Sequence, residues 1–322
     1  MHTFRLPIES AEAPADPSLG PSLLRSWQTD GVFQLELDDV HANGTTRAIR
    51  AGRDFFALPD RVKRYFVSDL TYSGYVARGE HVPGAADSGV ESFTVCPDLA
   101  YDDARVLAGW PGHGPVPWPY DAFRTRMLDF AAVAGKIAQR LLGLLEPVLA
   151  VASGSLTDLG RDGWHHLRVA RTLRPADPDA APAARIESSP GLLTIAVPHV
   201  AAHLHVFHQN SWQRVEAGAR TWAVFPGEAM QFLTGGRVSA TPYKVMGSAR
   251  EQHVLAYHHG PRFCVRLQPL LGATGDDDRL HYATHLTNLF LREFPARAVS
   301  RRIIAERRLD VFRRALACNE NL

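Results

Sequence analysis

The chain has 322 residues, 45% of them apolar, and a formal net charge of +1, enough apolar material for a full core and too little charge to draw nucleic acid or anionic lipid. Its three cysteines, Cys96, Cys264 and Cys318, lie far apart with no CxxC pair, which argues against a disulfide framework or a cysteine zinc site and fits a reducing compartment. Residues 1–20 lack the basic start and apolar run of a secretory signal, and no stretch approaches the roughly 20 apolar residues of a membrane span. The expectation is therefore a soluble, cytoplasmic protein whose partner is a small molecule, with oligomeric state left open.

Residues 10–21, rich in Pro, Ala and Ser, suit an extended surface connection. "PSLLRSWQTDGVFQLEL" (21–37) reads as a short helix, a turn at Asp30-Gly31 and a strand in which Val32, Gln34 and Glu36 alternate with Phe33, Leu35 and Leu37. "TRAIRAGRDFFALPDRVKRYF" (46–66) returns to helical spacing, interrupted at Pro59. Over 121–145, Phe123, Met127, Phe130, Ala134, Ile137, Leu141 and Leu144 recur at intervals of four and three, which predicts a core-facing helix beneath a sheet.

The pattern then changes to short apolar runs separated by turns: "HHLRVARTL", "GLLTIAV", "AHLHVFH", "WQRVE", "TWAVFP", "AMQFL", "RVSATPYKVM", "EQHVLAYHH" and "RFCVRLQPLL". Such spacing predicts an all-β sandwich or jelly roll. A closing amphipathic helix carries Ala305, Leu309, Phe312 and Leu316 as its stripe amid solvated arginines. Together these predict a single α+β domain over 1–322: a mostly helical part to residue 150, a jelly-roll (double-stranded β-helix) core over 160–272 and a helical segment over 280–322.

Five segments in order resemble the isopenicillin N synthase-like branch of the non-haem iron, 2-oxoglutarate-dependent oxygenases. They are "DFFALPDRVKRYF" (54–66), "SGYVARGEHVPGAADSGVESFTV" (73–95), "HLRVARTLRP" (166–175), "GLLTI" (191–195) and "PGEAMQFLTGGRVSATPYKVMG" (226–247). The resemblance implies a jelly roll with three iron ligands on one face, two His and one carboxylate. Carried over position by position, it puts Glu187 and Tyr243 where the family has His, and Ser189 where it has the carboxylate. It likewise makes Arg262 the counterpart of the 2-oxoglutarate anchor, with Cys264 where a hydroxyl belongs. The path from Tyr243 to Arg262 is lengthened by 247–260, a segment that reads equally as a lid, a strand pair or a partner surface.

Two imidazoles lost together predict a very weak iron site. A metal relocated to His199, His203, His205 and His208 is disfavoured, because Leu204 and Val206 alternate with His203 and His205 and claim the inner face. His253, His258 and His259 read likewise as a surface scatter. Strand parity instead gathers Glu187, Ser189 and Thr194 on one inward face with Tyr243 entering from a partner strand. Glu187, with its pKa raised by desolvation, and Tyr243 are the expected acid-base groups, and Ser189 the orienting one. Arg262, Thr194, Arg168, Leu204 and Cys264 complete the expected substrate pocket.

The first expectation is thus a metal-independent enzyme, with no cofactor, catalysing a non-oxidative cyclisation, pericyclic step, isomerisation or elimination on a small specialised metabolite. The alternatives are an Fe(II)- and 2-oxoglutarate-dependent oxygenase with an unusual metal site, and a non-catalytic binder of a pathway intermediate.

Overall fold

The structure, a computed structural model, describes residues 1–6, 18–78, 80, 89–172, 186–198, 203–216, 220–246, 251–272 and 279–312. The expected connection over 10–21 falls largely outside them. β1 (Thr3–Arg5) precedes α1 (Leu19–Asp30), which Gly31 ends in the left-handed region at φ 71°, its N–H donating to Trp27 O. β2 (Phe33–Glu36) follows, then α2 (Asp39–Phe56), whose start is capped by the Asp38 carboxylate accepting from His41 N–H. Pro59 separates α2 from the single turn α3 (Asp60–Lys63).

Next come β3 (Gly74–Val76), β4 (Val90–Val95), α4 (Ala104–Leu107), α5 (Asp121–Leu149) and α6 (Thr157–Gly160). The second half runs β5 (His166–Thr172), β6 (Leu193–Pro198), β7 (His203–His208), β8 (Ser211–Arg214), β9 (Thr221–Pro226), α7 (Glu228–Leu233), β10 (Tyr243–Met246) and β11 (Gln252–His259). β12 (Arg266–Leu267), β13 (Leu280–His281), α8 (Tyr282–Glu293) and α9 (Ala298–Ala305) complete it.

Eight strands form one sheet in the order β1-β2-β9-β6-β11-β5-β4-β3, and β10-β7-β8 form a smaller one. Alternation divides the large sheet between two environments. Leu193, Ile195 and Val197 of β6, Leu255 and Tyr257 of β11, and Leu167 and Val169 of β5 pack in one core with the buried faces of α1, α2 and α5. Ala196, Ala223 and Phe225 on the opposite face join Leu204, Val206 and Tyr243 of the small sheet in a second core. The expected α+β jelly roll with flanking helices is the observed fold. Among the described residues no helix is long and apolar enough to cross a membrane.

Three local expectations are corrected. "AMQFL" belongs to helix α7 rather than a strand; its buried Ala229, Met230 and Leu233 have helical spacing. The entering Gly227 lies so close to the neighbouring chain that a Cβ there would come within 2.2 Å of Gly191 O. "RFCV" forms a turn, and only Arg266 and Leu267 pair as a strand. The terminal stripe is not one helix: α9 stops at Ala305, and Arg307 takes φ 52° before a short helical turn over 310–312. Leu316 lies outside the described residues.

Candidate functional site

The segment entering β6 runs antiparallel to the start of β10. Glu187 N–H donates to Tyr243 O at 2.8 Å and Tyr243 N–H to Glu187 O at 2.9 Å, an isolated β-bridge that fixes the two side chains together. Tyr243 Oη donates to Glu187 Oε2 at 2.8 Å. From β5, Arg168 Nη1 donates to both Glu187 carboxylate oxygens at 2.7 and 2.9 Å. The ion pair is sheltered, with 15% and 17% of the two side chains exposed. A charge this far from water survives only when paired and hydrogen-bonded.

Burial, reinforced by the Glu187 charge, pushes the Tyr243 phenol well above its ordinary value, so it stays protonated and donates. For Arg168 burial opposes the charge, but Glu187 and the other nearby acidic groups outweigh it and raise its pKa.

These three residues separate two small cavities and line both. The first, about 50 Å³, is otherwise lined by Val90, Ala170, Thr172, Val245, Val254 and Ala256. The second, about 40 Å³, reaches towards α8, where Leu289, Phe290 and Glu293 face it, along with Thr94, His166 and His258.

Behind Glu187 lies a buried hydroxyl and imidazole layer. Ser189 Oγ and Thr194 Oγ1 both lie 3.1 Å from His258 Nδ1. His258 stacks on His166 with ring centroids 4.2 Å apart. Burial holds His258 down to about 4, so it is neutral near pH 7.

The structure therefore joins Glu187, Tyr243 and Arg168 directly, with Ser189 and Thr194 one layer behind. With Arg168 against it, Glu187 is not the isolated carboxyl that a desolvation-driven acid-base role requires. Leu204 is fully buried beside Tyr243 in the second core, where it packs rather than contacts either cavity. Arg262 and Cys264 sit on the turn after β11 and line neither cavity. Burial raises the Cys264 thiol to about 11, so it stays protonated near pH 7.

The long path from Tyr243 to Arg262 is occupied by β11. The run "EQHVLAYHH", one of those read as strands, forms a strand over 252–259 between β5 and β6, and it carries Val254, Ala256 and His258 on the site face. His253, His258 and His259 are accordingly buried, not a surface scatter. The missed residue is His258, and the alternation in "QHVLAYHH" is the signal that points to it. On β7, Leu204 and Val206 are fully buried between the sheets, which leaves the intervening His205 on the other face.

Iron(II) in this fold requires nitrogen and carboxylate donors converging on one face. Here the corner supplies one carboxylate already paired to Arg168, a hydroxyl turned to His258 and a protonated phenol. Among the described residues no three His, Cys, Asp or Glu side chains are grouped to hold a metal ion. In this arrangement the corner does not fit iron.

Comparisons with known proteins supply the wider frame. Residues 6–121 match the family model described as the non-haem dioxygenase in morphine synthesis N-terminal. The chain is 36% identical, over 96% of both chains, to the 2-oxoglutarate-dependent ethylene/succinate-forming enzyme of Ralstonia nicotianae. It is 22% identical to flavanone 3-dioxygenase 2 of Oryza sativa subsp. japonica, covering 96% of this chain and 88% of that one. In fold it is similar to the dioxygenase for auxin oxidation 1 from Arabidopsis thaliana in its complex with 2-oxoglutarate, with a TM-score of 0.68, 17% identity and coverage of 85% and 98%. It is also similar to JOX2 in complex with 2OG, Fe and JA, with a TM-score of 0.71, 20% identity and coverage of 90% and 86%.

These findings overturn the expectation of a metal-independent, non-oxidative cyclase, isomerase or lyase, and with it the expected absence of a cofactor. The relative at 36% identity is 2-oxoglutarate-dependent by name, and the two structural neighbours hold 2-oxoglutarate and, in one, iron. The alternative of an iron and 2-oxoglutarate oxygenase is the reading that the relatives favour. On sequence identity across nearly the whole chain, this protein belongs to the non-haem 2-oxoglutarate-dependent dioxygenase superfamily.

Proposed function

We propose that the chain is an enzyme of the iron- and 2-oxoglutarate-dependent class acting on a small molecule. Its working pocket is the one walled by Arg168, Glu187 and Tyr243, with 1–322 taken as one oxygenase-like domain. The observation that carries the class is the 36% identity to a 2-oxoglutarate-dependent enzyme over 96% of both chains. In this proposal the family's ligand positions are replaced by Glu187, Ser189 and Tyr243, so any iron depends on donors other than that trio as arranged.

What the chain's own residues offer is narrower. Arg168 is a permanently charged carboxylate binder, Tyr243 a proton-bearing donor, and the first cavity's remaining wall is mainly aliphatic.

A second reading is favoured by one observation, the closed Arg168–Glu187–Tyr243 set: a family member that binds its ligand without oxidising it. Anaerobic Fe(II) titration, elemental analysis and oxygen uptake with 2-oxoglutarate separate the two. Stoichiometric iron with 2-oxoglutarate-dependent uptake and succinate release supports the oxygenase. Absent iron with uptake no faster than buffer overturns it and leaves the binder.

A further inference from the structure

We infer that the ligand of this pocket is a small zwitterion, an α-amino acid with a short aliphatic side chain. This rests on the proposal that the pocket is the working site and adds the chemical class that it takes.

Arg168 and Glu187 are in direct contact at 2.7 Å, and both line each of the two cavities. A ligand entering the first cavity therefore meets a positive and a negative group side by side. A bare carboxylate there would gain Arg168 but lie against Glu187, with Glu293 facing the second cavity beyond. A bare amine would gain Glu187 but lie against the Arg168 guanidinium. Each single ion brings an uncompensated charge into a sheltered site, where such charges are costly.

An ammonium and a carboxylate on one carbon avoid both conflicts. The carboxylate reaches the Arg168 donors, the ammonium reaches Glu187, and the head brings no net charge. The remaining wall fixes the side chain. Val90, Ala170, Val245, Val254 and Ala256 are aliphatic, Thr172 adds one hydroxyl, and among the described residues no charged group other than the paired wall lines that cavity. The cavity offers the centres of water-sized spheres about 50 Å³ of room, where one water needs about 10–15 Å³ on the same measure, so it has space for roughly four waters. A side chain of one to three carbons suits it, and a long or charged one does not.

The test is calorimetric titration of the metal-free full-length protein with three probes of matched aliphatic chain: L-2-aminobutyrate, butanoate, which lacks the ammonium, and propylamine, which lacks the carboxylate. The expected result is binding of aminobutyrate, with each single-ion probe at least about tenfold weaker, a tenfold step being about 1.4 kcal/mol. In Glu187→Gln the advantage of aminobutyrate over butanoate should collapse. In Ala256→Leu, which fills the aliphatic wall and leaves the charged residues in place, binding should be lost while the circular dichroism spectrum is unchanged.

Butanoate or propylamine binding as tightly as aminobutyrate overturns the inference, as does the absence of any aminobutyrate binding. No iron or 2-oxoglutarate is present in this titration. Failure of the oxygenase reading therefore leaves the result standing, and oxygen uptake without aminobutyrate binding sinks the inference alone.

Discussion

At Glu187 three residues from separate parts of the chain meet, and the energetics of the pocket follow from that meeting. Removing one partner of a sheltered ion pair strands the other, which costs more than the pair is worth in isolation. Glu187→Ala is therefore expected to destabilise the protein by about 3–5 kcal/mol through the abandoned Arg168 charge. Tyr243→Phe deletes only a hydrogen bond to a charged acceptor and should cost about 1.5–3 kcal/mol. Urea unfolding of both variants measures the two numbers. Equal losses, or a larger loss in Tyr243→Phe, would mean that Arg168 finds another counter-ion. The positions of Glu187 and Tyr243 were legible because flanking motifs such as "GLLTI" and "TPYKV" anchor them. Their chemistry was not, because the guanidinium that neutralises Glu187 arrives from β5, 19 residues earlier, with nothing in the local pattern to link the two.

Among the elements, α5 shows periodicity and tertiary contact acting together. The apolar spacing over 121–145 predicts the helix, and the structure extends it to Leu149. Its C-terminal end is held by Glu146, which is 4% exposed. The Glu146 carboxylate accepts from the N–H groups of Gly154, Leu156 and Thr157 at 2.9, 2.8 and 2.8 Å. Burial pushes the carboxyl up, but the donors at Thr157, Gly154 and Leu156 win and its pKa is lowered. Glu146→Ala leaves the buried Leu156 N–H and the half-buried N–H groups of Gly154 and Thr157 without an acceptor, at about 1–3 kcal/mol each where water does not replace it, whereas Glu146→Gln keeps one acceptor oxygen. Alanine should therefore lower the thermal midpoint clearly more than glutamine; equal midpoints would show that water replaces the carboxylate. β11 teaches the opposite lesson. Its eight residues are all buried, so the histidines that make it look polar are interior groups, and only the sheet order reveals it as a central strand.

The whole molecule should be acid-sensitive. Burial holds His113, His165 and His258 at about 4, against an ordinary value of 6.5. His166 and His259 are also lowered well below it by burial. A folded-state pKa below the unfolded one means that the unfolded chain binds protons first as pH falls. The contribution of these histidines is complete above about pH 6.5 and is lost progressively towards about pH 4. Urea midpoints measured between pH 7.5 and 4.5 should fall steeply through that window. A flat profile would show that the imidazoles reach water in the folded protein.

By itself the sequence determined the layers of this protein. Apolar residues three and four apart make α5, and alternating ones make β2, β5, β6 and β9, because each element must bury one face whatever its partner. It also singled out Glu187, Ser189 and Tyr243, through a family resemblance, as one corner of the expected site. Only the tertiary structure decided what that corner holds. Arg168 closes on Glu187 and His258 collects Ser189 and Thr194, because strands β5, β6, β10 and β11 bring charges and imidazoles together across distances that local spacing does not encode.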